Sequence, residues 1–317
     1  MKLAQRPYQS ETDYWAIRTF LRDVYVRNGR REYSWPAARL DYWRWHVAAN
    51  TNEEPIDQGI FLWETQDGRI VAVLNREDPG QAYFQVDPDF RTPELEEEML
   101  QLAEQRIKTI GPSSGRPVLA VSVRDGDTLR EELLTKHNYE RKPEWQSYDR
   151  YRDLALPIPE APAPDGYTIR PMRIDEIPSR SWASWRAFHP DEPDEKYQGS
   201  DWYESIMRAP MYRRDLDLVA IAGNGSVAAF CTVWYDDVTL SGYFEPVGTV
   251  PEHQRRGICY ALLHEGMRRL KDRGATQACL GGGGLSNPPA DGVYNRALGM
   301  DRDSYIAWIK YFDGKPV

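Results

Sequence analysis

Apolar positions along this chain repeat with a helical period in some stretches and run continuously in others, and the same succession occurs twice. In Thr12–Val26, Trp15, Ile17, Phe20, Leu21 and Val24 cluster at helical spacing and predict an amphipathic helix. Ile177–Phe188 predicts its counterpart from a less regular pattern. A hairpin signal follows each. In the first, Ile60–Thr65 and Arg69–Asn75 flank Gln66-Asp67-Gly68; in the second, Asp217–Ala222 and Ser226–Trp234 flank Asn224-Gly225. Asp-Gly and Asn-Gly favour such turns because both central residues need positive φ.

The parallel continues. A third strand comes next (Gln81–Pro88, Ser241–Pro251), then a helix (Glu94–Ile110, Arg256–Arg273) and a buried strand (Pro117–Val123, Thr276–Leu280). A short helix (Asp127–Tyr139, Ala290–Met300) and an aromatic-rich strand (Trp145–Leu154, Ser304–Phe312) close each series. Arg6-Pro7 and Arg170-Pro171 open them. The offset stays near ~160 residues throughout, which predicts a duplicated α/β unit with a mixed, α+β-type sheet. Between the copies, Asp153–Gly166 carries Pro157, Pro159, Pro162 and Pro164, a pattern that favours extended chain over helix or ladder. The expected organisation is a first domain over 1–152, a linker over 153–166 and a second domain over 167–317.

Composition narrows the classes. The chain has 317 residues, which suits two domains, and a formal net charge of −9. An acidic balance argues against nucleic acid as a partner, since phosphate binding needs a positive field. The longest apolar run, Val227–Trp234, is far short of the roughly 18 residues of a membrane span, and Met1–Glu11 lacks the apolar core of a signal peptide. The expectation is a cytoplasmic protein without a membrane partner. Cys231, Cys259 and Cys279 are an odd number with no C-x-x-C pair, which argues against disulfides and thiolate metal sites. No His/Glu metal motif is present, so no metal is expected.

The segment Val250–Leu263 carries the most chemistry. A strand ends near Val250, Arg255, Arg256 and Gly257 form a turn, and a helix begins. Helix N-terminal amides attract anions, glycine admits close backbone approach, and two arginines add charge. Read from these residues alone, it is either a diphosphate cradle or a plain strand–turn–helix with a solvated arginine pair. In Ser241–Pro251, Glu245 is a carboxylate in an otherwise apolar strand. It is either a general base raised in pKa by burial or a Glu on a solvent face. Pro246 and Gly248 beside it predict a bulge or splay. Gly281–Gly284 reads as a loop, and Asp191, Glu192, Asp194 and Glu195 beside His189 read as a solvated acidic loop. Core packing is the expectation for the tryptophans at 35, 43, 45, 182, 185 and 202. His253 reads as a surface residue, and His46, His137 and His264 have no catalytic company.

Gln254-Arg255-Arg256-Gly257-Ile258-Cys259 resembles the Q/R-x-x-G-x-G/A acyl-CoA loop of the GNAT N-acetyltransferases, with Cys259 where the family has Gly or Ala. Val250-Pro251 resembles the end of the family's fourth strand. Asn287 to Met300, with Ala290, Tyr294, Leu298 and Gly299, resembles the second signature N-x-x-A-x-x-x-Y-x-x-x-L-G-F, Met300 replacing Phe. The resemblance covers 166–317 well, and the whole resembles tandem acetyltransferases of the mycothiol-synthase kind. It implies two tandem GNAT domains and direct acetyl transfer from acetyl-CoA, as co-substrate, to an amine in a ternary complex. It implies Tyr294 as donor to the leaving thiolate, with Glu245 as base. It places acetyl-CoA against Val247, Gly248, Thr249, Val250, Gln254 to Cys259, and Asn287. Two alternatives stay open: a non-catalytic CoA-binding protein on this fold, and transfer of another acyl group. The acceptor and the oligomeric state are not readable.

The first half departs from its partner. Val86–Pro93 stands where the phosphate loop belongs, yet it has no glycine, carries Asp87 and Asp89, and loses an amide at Pro93. Leu133 occupies the place of Tyr294. The first half is therefore expected to be a degenerate copy without a phosphate loop.

Overall fold

A computed structural model describes residues 2–48, 56–111 and 114–314. The first half contributes strands β1 (Ala4–Pro7), β2 (Ile60–Glu64), β3 (Ile70–Arg76), β4 (Gln81–Val86), β5 (Thr109–Ile110), β6 (Pro117–Arg124) and β7 (Glu140–Asp153). Its helices are α1 (Glu11–Arg27), α2 (Ala37–Tyr42), α3 (Pro93–Arg106) and α4 (Thr128–Lys136). The second half contributes β8 (Tyr167–Pro171), β9 (Asp217–Ala222), β10 (Val227–Asp236), β11 (Ser241–Thr249), β12 (Gln277–Gly282) and β13 (Arg302–Tyr311). Its helices are α5 (Ile177–Phe188), α6 (Tyr203–Met207), α7 (Ile258–Asp272) and α8 (Pro288–Leu298).

Both predicted hairpins form, β2–β3 across Asp67-Gly68 and β9–β10 across Asn224-Gly225, but only the glycines, at φ 82° and 85°, take positive φ; Asp67 and Asn224 do not, so each turn needs it at one position and not two. The helix expected over Glu94–Ile110 stops at Arg106. Thr109 and Ile110 instead pair with Val118 and Pro117 as an edge strand, since a tertiary ladder outweighs weak helical preference there. Residues 154–166 form neither helix nor strand.

All strands join one sheet in the order β1-β2-β3-β4-β6-β13-β7-β12-β11-β10-β9-β8, with β5 beside β6. Among the described residues, only β4/β6 and β11/β12 run parallel. The order is palindromic, and its centre is crossed over. The first half's last strand, β7, pairs with β12 of the second half, and the second half's last strand, β13, pairs with β6 of the first. The two exchanged strands also pair with each other. Each half is thus completed by the other.

Three cores follow. Leu74, Met99, Leu100 and Leu134 fill the space under α3 and α4; Phe244, Leu262, Met267 and Leu298 fill that under α7 and α8. On the opposite face Tyr14, Trp35, Trp43, Tyr203, Phe230 and Trp234 belong to one cluster shared by both halves. The buried Trp35 and Trp43 are core residues, as expected.

Candidate active site

The strand-to-helix turn before α7 leaves backbone amides and two arginines at the surface. Arg255 and Gly257 have left-handed backbone, φ 60° and 79°, which carries the chain from β11 into the helix. No side chain caps α7, so its first-turn amides lack the partner that Ser, Thr or Asp gives elsewhere. Arg255, Arg256 and Gly257 are exposed, and Arg256 Nη2 donates to Glu252 O at 3.2 Å. Ile258 turns its side chain into the core, so only its amide faces the turn. These features suit a phosphate group, through dipole, amides and charge together.

Beside this turn the sheet opens. β11 and β12 pair only over Ser241–Tyr243 and Gln277–Cys279. From Phe244 onward β11 keeps only its β10 neighbour, and that ladder shifts register between Cys231 and Val233, opposite Glu245 and Pro246. The irregularity expected at Pro246 is there. Val250 N donates to Ala228 O at 2.9 Å, so Val250 and Gly248 turn their peptide groups toward β10. By alternation, Val247 and Thr249 turn theirs toward the opening. Gln254 Nε2 donates to Thr249 O at 3.3 Å, closing the end. Gly248 is required by packing, because a Cβ there would sit 2.3 Å from Phe230 Cζ.

Glu245 stands at the wall of two cavities, an inner one of about 320 Å³ and an outer one of about 820 Å³. Its carbonyl accepts from Trp234 Nε1 at 2.5 Å, which fixes the strand locally. Burial, reinforced by Glu77, pushes its carboxyl up to about 7, against the pull of Arg39 and a hydrogen bond from Tyr42. Tyr294, on α8, packs partly buried against the core under α7 and α8 and is not among the residues lining either cavity. Burial first, then Cys259 and Glu245, raise its hydroxyl well above the ordinary tyrosine value, so it stays a proton donor. Burial also pushes the Cys259 thiol up to about 12, leaving a small, unreactive residue at that loop position. Asn287 caps α8, accepting from Ala290 N at 3.3 Å.

Arg150 of β7 anchors this helix, a role the sequence did not signal. It is fully buried, donates to Asn295 Oδ1 at 2.9 Å and Gly282 O at 2.6 Å, and pairs with Asp291. The residue orienting the Tyr294 helix thus comes from the other half of the chain. The glycine run expected as a loop is instead constrained. β12 extends through Gly282, and Gly282, Gly283 and Gly284 all have positive φ. A Cβ on Gly284 would lie 2.4 Å from Gln146 O, so close approach to β7 demands glycine.

The acidic loop is solvated as expected, with His189, Asp191, Asp194 and Glu195 exposed, and it borders the outer cavity. His189, Glu192 and Glu195 line the outer cavity together with Glu245 and Tyr42. Asp191 and Asp194 do not. His189 stacks on Trp185 with ring centroids 5.7 Å apart. His253 Nδ1 meets Tyr167 Oη at 2.8 Å, and burial lowers His46 to about 3, which keeps its ring neutral.

The first half lacks these devices. Thr92 caps α3, accepting from Leu95 N at 3.2 Å, so the equivalent helix terminus is already satisfied. Arg91 is engaged by Glu96 and Asp127 at 2.6 and 2.7 Å. Gln85 stands where the repeat places Glu245. Its Oε1 accepts from Trp35 N at 2.6 Å and its Nε2 donates to Asn75 Oδ1 at 2.9 Å. Leu133 is core. Aligning Tyr83-Phe84-Gln85 on Tyr243-Phe244-Glu245 would have exposed the amide-for-acid difference in the sequence. Among the described residues, no group of three or more His, Cys, Asp or Glu is placed to hold a metal, and no helix is long and apolar enough to cross a membrane.

Residues 174–300 match the family model described as Acetyltransferase (GNAT) family. No curated protein matches the chain in sequence. A GCN5-related N-acetyltransferase from Sphaerobacter thermophilus shares the fold with a TM-score of 0.66 at 21% identity, over 98% of this chain and 95% of that one. A tandem GNAT protein from the clavulanic acid biosynthesis pathway aligns over 99% of this chain and all (100%) of its own, with a TM-score of 0.63 and 14% identity. N-myristoyltransferase from Saccharomyces cerevisiae aligns over 99% of this chain and 81% of its own, with a TM-score of 0.57 and 10% identity. The second half thus carries a match to the GNAT acetyltransferase family, and the chain as a whole shares the fold of GNAT acetyltransferases, a tandem GNAT protein among them.

Proposed function

We propose that this protein is an N-acetyltransferase, moving acetyl from acetyl-CoA directly to the amine of a small acceptor in a ternary complex. The second domain, 167–317, carries the chemistry. The first, 1–152, is a degenerate support that shapes the acceptor side, and 153–166 links them. The protein works in the cytoplasm, with no metal and no nucleic-acid or membrane partner. The observation that carries this reading is the position of Glu245, a carboxyl at the wall of both cavities on the strand whose edge is left open beside an uncapped helix.

The parts divide the work. Amides at the start of α7, with Arg255 and Arg256, hold the diphosphate, and the open edges of Val247 and Thr249 receive the pantetheine amides. Glu245 takes a proton from the acceptor ammonium, directly or through water, so that the free amine attacks. The C–N bond forms as the C–S bond breaks, Tyr294 gives its proton to the departing sulfur, and the proton shed by the new amide nitrogen returns to the Tyr294 oxygen through water. Cys259 takes no covalent part, since its thiol stays protonated.

The reading is tested by thiol release from acetyl-CoA with a panel of amines, using propionyl- and myristoyl-CoA as competitors. Amine-dependent release with acetyl-CoA preferred supports it. Binding without turnover on any amine overturns it in favour of a non-catalytic CoA binder. Two substitutions probe the parts. Arg256→Glu is expected to weaken acetyl-CoA binding about tenfold or more by calorimetry, as for loss of a charge-assisted contact with the diphosphate. Unchanged affinity removes the turn from the site. Tyr294→Phe is expected to lower kcat about 10²-fold with little change in acetyl-CoA affinity. Full turnover by that variant removes Tyr294 from the reaction.

A further inference from the structure

Glu32, in the turn between α1 and α2, is the inner cavity's unexplained group. It is 5% exposed, lines the cavity, and neither carboxyl oxygen has a hydrogen-bond partner. Its backbone is nonetheless clamped. The Glu32 amide donates to Tyr151 Oη at 2.9 Å, and Tyr305 Oη donates to the Glu32 carbonyl at 2.8 Å. These tyrosines sit on the exchanged strands β7 and β13. The carboxyl is therefore positioned by both halves and satisfied by neither, which is costly without a partner that arrives from outside.

The surroundings do not supply that partner. Asp149 and Glu245 line the same cavity and add negative charge. Two guanidiniums reach its wall, and both are committed. Arg39 is held by Glu77 at 2.5 Å and lies over Trp35, 4.6 Å from the ring centroid. Arg130 is held by Glu96 at 2.7 Å. Arg39, already committed to Glu77, is the one cavity-wall cation that acts on both Glu32 and Asp149, and neither carboxyl of this pair has a cation of its own in the cavity, while Tyr83 and Tyr243 line the same space.

Resting on the acetyl-transfer reading, we infer that the inner cavity selects a small dicationic acceptor, a linear diamine or polyamine. Its distal ammonium pairs with Glu32 and Asp149, and its reacting amine lies at Glu245. The volume of about 320 Å³ suits a small molecule rather than a peptide chain. The aromatic faces cover the methylenes, and a monoamine is rejected because it leaves the buried carboxyl unpaired.

The full-length chain, free of CoA, is titrated calorimetrically with 1,4-diaminobutane and with 1-aminobutane. The diamine is expected to bind about tenfold to hundredfold more tightly, the scale of a charge-assisted hydrogen bond. Glu32→Gln is expected to erase most of that preference while keeping wild-type Tm and acetyl-CoA affinity, and Asp149→Asn to reduce it. Equal affinity of the wild type for the two amines overturns the inference, as does a preference retained in a folded Glu32→Gln chain. Acetyl-CoA titration is a separate arm. Diamine preference without acetyl-CoA binding keeps this site and overturns the transfer reading. Acetyl-CoA binding and monoamine acetylation without diamine preference do the reverse.

Discussion

Glu245→Gln is expected to lower kcat by about 10²–10⁴-fold, the usual worth of a positioned general base. Glutamine keeps the shape of the side chain and its place on β11, so acetyl-CoA affinity is expected to hold. The pH profile makes the test specific. The carboxyl is pushed up to about 7 by burial and by Glu77. Below that value it is protonated and cannot accept the amine's proton, so wild-type turnover rises as pH passes from about 6 to about 8. The Gln variant loses that rise. A wild-type profile that is flat through 7, or a variant that keeps the step, assigns the base elsewhere. The first half supplies an internal control, since its Gln85 occupies the corresponding position as a hydrogen-bonded amide.

Asp217→Ala is expected to destabilise the fold by about 3–5 kcal/mol, the cost of leaving a buried charge alone. Asp217 and Arg180 are both fully buried, with Nε and Oδ1 3.7 Å apart. Tyr203, Tyr212 and Thr232 donate hydroxyls to the carboxylate at 2.5, 3.0 and 3.1 Å. Two of the Arg180 nitrogens have no hydrogen-bond partner of their own, so Asp217 is the main counter-charge. Removing it strands the guanidinium, which lies 3.7 Å from the Phe230 ring centroid, and the core shared by the two halves is the part that loosens. Urea unfolding reads the loss as a lower midpoint. A midpoint within error of wild type shows that Arg180 finds compensation nearby. Asp217 lies outside both cavities, so any fall in activity should follow the folded fraction.

Both experiments turn on burial, which links fold and chemistry here. A carboxyl on a strand is ordinary until the sheet encloses it. Glu245 is enclosed because α2 and the turn before it line the inner cavity, and α5 with the acidic loop after it lines the outer one. The exchange of β7 and β13 serves the same end. It brings Asp149 and Arg150 on neighbouring positions of one strand, the first to the wall of the inner cavity and the second onto the helix that carries Tyr294.

What the sequence determined by itself is what local periodicity and local motifs encode. The two hairpins were legible because Asp-Gly and Asn-Gly turns constrain their own backbone. The repeat was legible because both halves keep one element order. The strand–turn–helix at Gln254–Cys259 and the signature through Tyr294 were legible because each lies within a dozen or so consecutive residues. The departure of the first half from the second was equally plain, since Val86–Pro93 has no glycine and loses an amide at Pro93. Tertiary structure alone decided which halves own which strands, for exchange and non-exchange use identical elements in identical order. It alone gathered Glu32, Glu77, Asp149 and Glu245 around one cavity, from four elements far apart in the chain. It alone turned the glycine run into a tight contact and the loop at His189 into a cavity wall. The physical reason is common to all of these. Hydrogen-bond geometry and side-chain period act over a few residues, whereas burial, charge pairing and strand partnership are set by residues a hundred or more positions away, and they leave no mark on the neighbouring sequence.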